Sequence, residues 1–96
     1  MKKSHKGEKV NSAIKKALSE IFVYDIPFNN NMITVVRVET APDLSKSDIY
    51  ITALKDAEKV AQELNSKSGY IGHLLGNRIK IRKIPQLRFI PLPHML

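Results

Sequence analysis

The chain has 96 residues, 43% of them hydrophobic, with no cysteine and a net charge of +7. That length holds one domain with a modest core, and the lack of cysteine excludes a disulfide framework, a thiolate metal site and a cysteine nucleophile. No apolar run approaches a membrane span or a signal peptide, so a cytoplasmic protein with no membrane partner is expected.

Residues 1–7 are polar and basic, and a flexible basic arm is expected there. Val10, Ile14, Ala17, Leu18, Ile21 and Phe22 then recur at helical spacing and predict an amphipathic helix over about residues 8–23. Lys9, Lys15, Lys16 and Glu20 fall off that stripe. Pro27 with Asn29, Asn30 and Asn31 supplies turn chemistry. The β-branched segment M-I-T-V-V-R-V-E-T predicts a strand at about residues 32–40, followed by a loop at A-P-D-L-S-K that Asp43 and Asp48 flank and serve. In S-D-I-Y-I-T-A-L, Ile49, Ile51 and Ala53 alternate with Asp48, Tyr50 and Thr52, so the two strands should pair as a hairpin.

Asp56 is placed to cap a second helix whose buried stripe is Ala57, Val60, Ala61 and Leu64. Asn65, Ser66, Ser68 and Gly69 interrupt it, and helical spacing resumes with Ile71, Leu74 and Leu75. A bend at Ser68 and Gly69 into a short third helix ending near Gly76 is expected. In I-K-I-R-K-I-P-Q-L-R-F-I, Ile79 and Ile81 oppose Lys80 and Arg82. This predicts a last strand with a basic exposed face, held to a sheet edge or a bulge by Pro85. The expected fold is therefore α+β, in the order α-β-β-α-kink-α-β, with a domain over residues 8–90 and a C-terminal tail over 91–96.

No catalytic constellation is found: there is no G-x-S-x-G elbow, paired-histidine helix or Walker loop. No enzyme activity, cofactor, metal or small-molecule substrate is expected, since His5, His73 and His94 lack paired ligand spacing. His73 reads as a partly buried structural histidine. G-Y-I-G at residues 69–72 matches the G-x-x-G loop that clamps an RNA backbone. Tyr70 and Ile71, however, look like the apolar start of the third helix, which favours a kink. Tyr50 is either a base-stacking platform or a half-buried cover for the sheet edge.

Charge is uneven along the chain. Residues 1–19 carry six lysines and one glutamate, residues 20–63 four basic and eight acidic residues, and residues 64–96 six basic residues and no acid. Such asymmetry fits a polyanionic partner, because each neutralised phosphate releases condensed counterions. A solubilising surface would show the same totals. Convergence favours a partner: Lys80, Arg82, Lys83 and Arg88 are expected to line the exposed face of the last strand, with Arg78 just before it. The first helix adds Lys9, Lys15 and Lys16. These eight residues are the RNA-binding candidates. An acidic protein partner for the same basic surface is the alternative.

Three segments carry a family resemblance: K-V-N-S-A-I-K-K-A-L-S-E-I in the first helix, V-R-V-E-T-A-P-D-L across the first strand and its loop, and S-G-Y-I-G-H-L-L-G-N-R-I-K-I-R-K-I-P-Q-L-R-F at the end. Over about residues 8–90 the chain resembles the ribosome-binding factor A family. The resemblance implies a type II KH-like domain, a three-stranded sheet with helices on one face, in which an interrupted helix with an Ala-x-Gly kink replaces the G-x-x-G loop. Gly69 matches the kink glycine, Ser68 lies beside it, and Lys67 stands where the family has alanine. It also implies a factor that binds the free small (30S) ribosomal subunit and its rRNA; a monomer is expected separately from the resemblance. Such a factor assists late assembly and maturation of the 16S rRNA 5′ end, notably in the cold.

Overall fold

The computed structural model describes residues 5–26 and 31–93. The first helix, α1, spans His5–Glu20 and buries Ile14, Ala17 and Leu18 along the expected stripe. It begins before residue 8, so residues 5–7 of the expected arm belong to the helix, and residues 1–4 lie outside the described residues. α1 runs directly into a π-helical turn, Ile21–Asp25, closed by the Ile26 N–H donating to the Ile21 carbonyl at 2.8 Å. The apolar spacing explains the change of pitch. In a continued α-helix the residue stacked on Ile21 is Asp25, four positions on. The wider turn returns Ile26 to the core instead and leaves Asp25 exposed. Pro27, Asn29 and Asn30 of the expected turn lie outside the described residues.

The hairpin forms as expected, from β1 (Ile33–Thr40) and β2 (Lys46–Ala53), antiparallel. Its register shifts between Val35 and Arg37. The extra residue, Val36, lets Val35 and Val38 both face the core although three positions separate them, and turns Arg37 outward. At the hairpin's open end Asn31 acts as a hub. Its Oδ1 accepts the N–H groups of Met32 and Leu54 at 3.0 Å and of Lys55 at 3.3 Å, and its Nδ2 donates to the Lys55 carbonyl. At the closed end the Ser45 N–H donates to Asp43 Oδ1 at 3.0 Å. Hydrogen bonds from Ser45, first from its side chain and then from its backbone, hold the Asp43 carboxyl below its ordinary value, with help from the Lys83 charge.

Asp56 does precede α2 (Ala57–Ser66), but it sits in the left-handed region at φ 53° and its side chain makes no capping bond. α2 buries Val60, Ala61 and Leu64. The interruption after it is one residue, Lys67, with φ −111° and ψ 16°; its N–H reaches the Leu64 carbonyl and its own carbonyl accepts the Ile71 N–H. α3 (Ser68–Arg78) follows at once, two residues past the expected end at Gly76. Ser68 and Gly69 are its first residues, and a Cβ built on Gly69 would meet nothing within 4 Å.

β3 covers only Gln86–Pro91 and pairs parallel with β2, giving the order β1-β2-β3. The strand expected from Ile79 does not form, so the basic-faced strand is corrected to an irregular crossover over residues 79–85. The reason is register. Gln86 partners Lys46, the first residue of β2. Residues before Gln86 would lie opposite the Ala41–Ser45 turn, which offers no strand to pair with. Ile79 and Ile84 pack against the core and Pro85 is buried, so the alternation read as a strand reflects a packed crossover.

The helices cover one face of the sheet, where Ile49, Ile51, Leu87 and Phe89 meet Ile14, Leu18, Leu64 and Leu75; the Phe22 and Phe89 ring centroids are 6.2 Å apart. Glu39, Asp48 and Arg88 share a row on the open face, as do Arg37, Tyr50 and Ile90. Asn65 of α2 reaches the outer edge of β3, accepting from the Phe89 N–H at 2.8 Å and donating to its carbonyl at 3.0 Å. That edge is thereby closed at its centre. Pro91 ends β3, and His94 and the rest of the expected tail beyond Pro93 lie outside the described residues.

Candidate nucleic-acid interface

The fold sorts the eight candidate cations into two kinds. Arg78, at the end of α3, donates from one guanidinium nitrogen to Glu20 Oε1 and from the other to Asp25 Oδ2, both at 3.0 Å. Its side chain is only 30% exposed. The forked geometry fits a planar guanidinium, and the pair of carboxylates neutralises it. Arg78 thus clamps α3 to the end of α1. Arg88 lies on the open face of the sheet, where its Nε meets Asp48 Oδ1 at 3.2 Å across the β2–β3 pair. Asp48 therefore serves Arg88, whereas Asp43 serves the turn.

The other six have no ion pair among the described residues. Lys9, Lys15 and Lys16 are exposed along the outer flank of α1, and Lys80, Arg82 and Lys83 are exposed along the crossover. The Arg78 clamp joins the two groups. Lys16 is four residues, about 6 Å along the helix, before Glu20, and Glu20 holds Arg78, which leads directly into the crossover. The expected arrangement, a basic strand beside a basic helix, is replaced by a basic crossover anchored to a basic helix. Arg88 is set apart on another face.

Lys46 joins this surface and was hidden by its segment. It falls in the stretch with a net acidic balance, yet it is exposed, unpaired among the described residues, and partnered in register with Gln86 where the crossover meets the sheet. Lys83 acts electrostatically on Asp43 at the same end. The signal for Lys46 was positional: it opens the strand after the turn.

Three sequence readings resolve here. Gly69–Gly72 lies inside α3 with Ile71 fully buried, so it offers no phosphate loop. His73 is exposed rather than partly buried. Tyr50 is half-buried, with its hydroxyl donating to Glu39 at 3.4 Å and the Arg37 guanidinium 4.7 Å from its ring centroid. That stacking face is already occupied. Lys67 is held by Glu63 at 3.4 Å. Among the described residues no group of three or more His, Cys, Asp or Glu is placed to hold a metal, and no helix is long and apolar enough to cross a membrane.

Comparison with known proteins places this geometry. The family model described as ribosome-binding factor A matches residues 6–91. A ribosome-binding factor A of Lachnospira eligens is 39% identical over 95 residues, covering 93% of this chain and 72% of that protein. The crystal structure of ribosome-binding factor A from Thermus thermophilus superposes with a TM-score of 0.77 at 26% identity, covering 88% of this chain and 94% of that one. A homology model of the Thermus thermophilus factor, fitted into a cryo-EM map of a 30S complex, superposes at 0.74 with 24% identity and covers 93% of each chain. The α+β arrangement, with its antiparallel hairpin, interrupted helix pair and parallel third strand, is the KH-like fold of these neighbours.

Proposed function

The chain belongs to the ribosome-binding factor A family, and on that premise we propose that it binds the free small ribosomal subunit by gripping rRNA phosphates with α1 and the crossover. The observation that carries this reading is the sorting of cations. Six candidate residues on α1 and the crossover make no ion pair among the described residues, while Arg78 and Arg88 do. An unpaired lysine on a rigid helix gains most from a phosphate, because no internal bond must break and each contact releases counterions. The fitted 30S complex of the Thermus thermophilus factor supports the choice of partner.

The finer role proposed is that of a monomeric cytoplasmic factor that assists late assembly and maturation of the 16S rRNA 5′ end, with its greatest effect in the cold. It works by binding, without bond chemistry of its own. Cold sharpens the need for such a factor, because misfolded RNA helices escape more slowly at low temperature. Sedimentation of cell lysate tests the partner: the chain should travel with free small subunits and leave assembled ribosomes. Association only with another particle would remove the reading. Binding to purified rRNA at low salt tests the chemistry, and failure there would favour an acidic protein partner.

A further inference from the structure

The lysines of α1 border a groove that phosphate contacts alone leave unexplained. It has a volume of about 510 Å³, and Ser12, Lys15, Lys16 and Ser19 line one side while Val23 and Tyr24 form its apolar part. Val23 is 63% and Tyr24 74% exposed, the two most open large apolar side chains of the α1 region. The π-helical turn puts them there, since it returns Ile26 to the core and leaves the two residues between Phe22 and Asp25 facing outward. Such turns recur at functional positions. Tyr24 has no hydrogen bond or ring contact among the described residues, whereas the Tyr50 hydroxyl and ring are both engaged. The groove's one acid, Glu20, is held by Arg78, so its free charges are the two ammonium groups of Lys15 and Lys16.

We infer that this groove takes an unpaired nucleotide of the RNA, its base stacked on Tyr24 and its neighbouring phosphates held by Lys15 and Lys16. This rests on the RNA-binding reading above. An exposed aromatic face bordered by unpaired cations is complementary to a base flanked by phosphates, and stacking accepts any base because every base presents a π-face. A continuous duplex keeps its base faces covered, so the groove selects loops, bulges or single strands over paired RNA. Lys15 and Lys16 lie about 12–14 Å along the helix axis before Tyr24. They therefore reach the flanking nucleotides rather than the stacked one.

The test uses the full chain and three RNAs of equal length: a single strand, the same strand in a duplex, and a strand with abasic positions that keeps the phosphates. Tyr24→Ala should weaken single-strand binding about 5- to 150-fold and leave abasic-strand and duplex binding unchanged, while Tyr24→Phe stays near wild type. The unaltered chain should itself favour the base-bearing strand over the abasic one by a similar factor. Lys15→Ala with Lys16→Ala should lower the salt slope by about 1.4, which Tyr24→Ala does not touch. Equal single-strand affinity for the wild type and Tyr24→Ala, or an equal loss on the abasic strand, overturns the stacking inference and leaves the RNA reading standing. A wild-type chain that binds none of the RNAs but binds polyglutamate removes both.

Discussion

Replacing Lys80, Arg82 and Lys83 together with alanine removes half of the six unpaired candidate cations and touches no side chain of the core. If each grips one phosphate, the slope of log K against log salt falls in magnitude by about 2 to 2.7, at 0.7 to 0.9 per contact. Between 50 and 200 mM salt, a fourfold change, the wild type should then lose about 20- to 40-fold more affinity than the triple variant. Arg88→Ala is the internal control. Its guanidinium is already paired with Asp48 on the open face, so its slope should stay within a few tenths of wild type. Fluorescence anisotropy with a labelled fragment of small-subunit rRNA, titrated at several salt concentrations, reads both quantities, and a thermal melt checks that the triple variant stays folded. An unchanged slope in the triple variant would refute the assignment of the crossover. So would an Arg88→Ala slope change as large as that of the triple variant, because it would mean that internal pairing does not predict which cations meet RNA.

The remaining predictions concern what holds that surface in place. Arg78→Met should cost about 1–2 kcal/mol, between an exposed ion pair and a charge-assisted buried bond. At this chain length that lowers the melting temperature by about 5–15 °C, and an unmoved transition would show that the clamp is incidental. Gly69→Ala should leave stability unchanged or raise it by up to about 1 kcal/mol, since the site is helical and open; a loss beyond that would restore a bending role to the glycine. Asn65→Ala uncovers both main-chain groups of Phe89 on the edge of β3 and should cost about 1–3 kcal/mol. Amide exchange at Phe89 should accelerate selectively, and an unchanged exchange rate would mean that water serves that edge as well as the side chain does.

Much of the fold was legible because its signals are local. The α1 stripe, the alternation of Ile49, Ile51 and Ala53, and the break between α2 and α3 each lie within a few residues of chain. What escaped depends on partners far away in sequence. Ile79 to Ile84 alternates like a strand, but the partner strand begins at Lys46, and only the β2–β3 register shows that nothing lies opposite. The bulge at Val36 is equally nonlocal, since the β-branched run reads as an unbroken strand until Tyr50 is set against Arg37. The π-helical turn was readable in principle: the five-residue spacing from Ile21 to Ile26, with Asp25 between them, is wrong for an α-helix.

The interface shows the same division more sharply. Charge counted by segment marks residues 20–63 as acidic and the two ends as basic, as though the middle had no part in binding. In the folded chain, acids of that middle segment decide which basic residues are available. Glu20 and Asp25 engage Arg78, and Asp48 engages Arg88, each from a distant part of the sequence. An arginine that meets two carboxylates in a fork is committed to structure, because releasing it to a phosphate gives up two charge-assisted bonds at once. The candidate cations left without an ion pair among the described residues are five lysines and Arg82, exposed on the α1 flank and the crossover, and the Arg78 clamp holds those two elements together. The acidic segment therefore withdraws Arg78 and Arg88 from the binding surface and, through Arg78, ties the α1 lysines to the crossover that carries Lys80, Arg82 and Lys83.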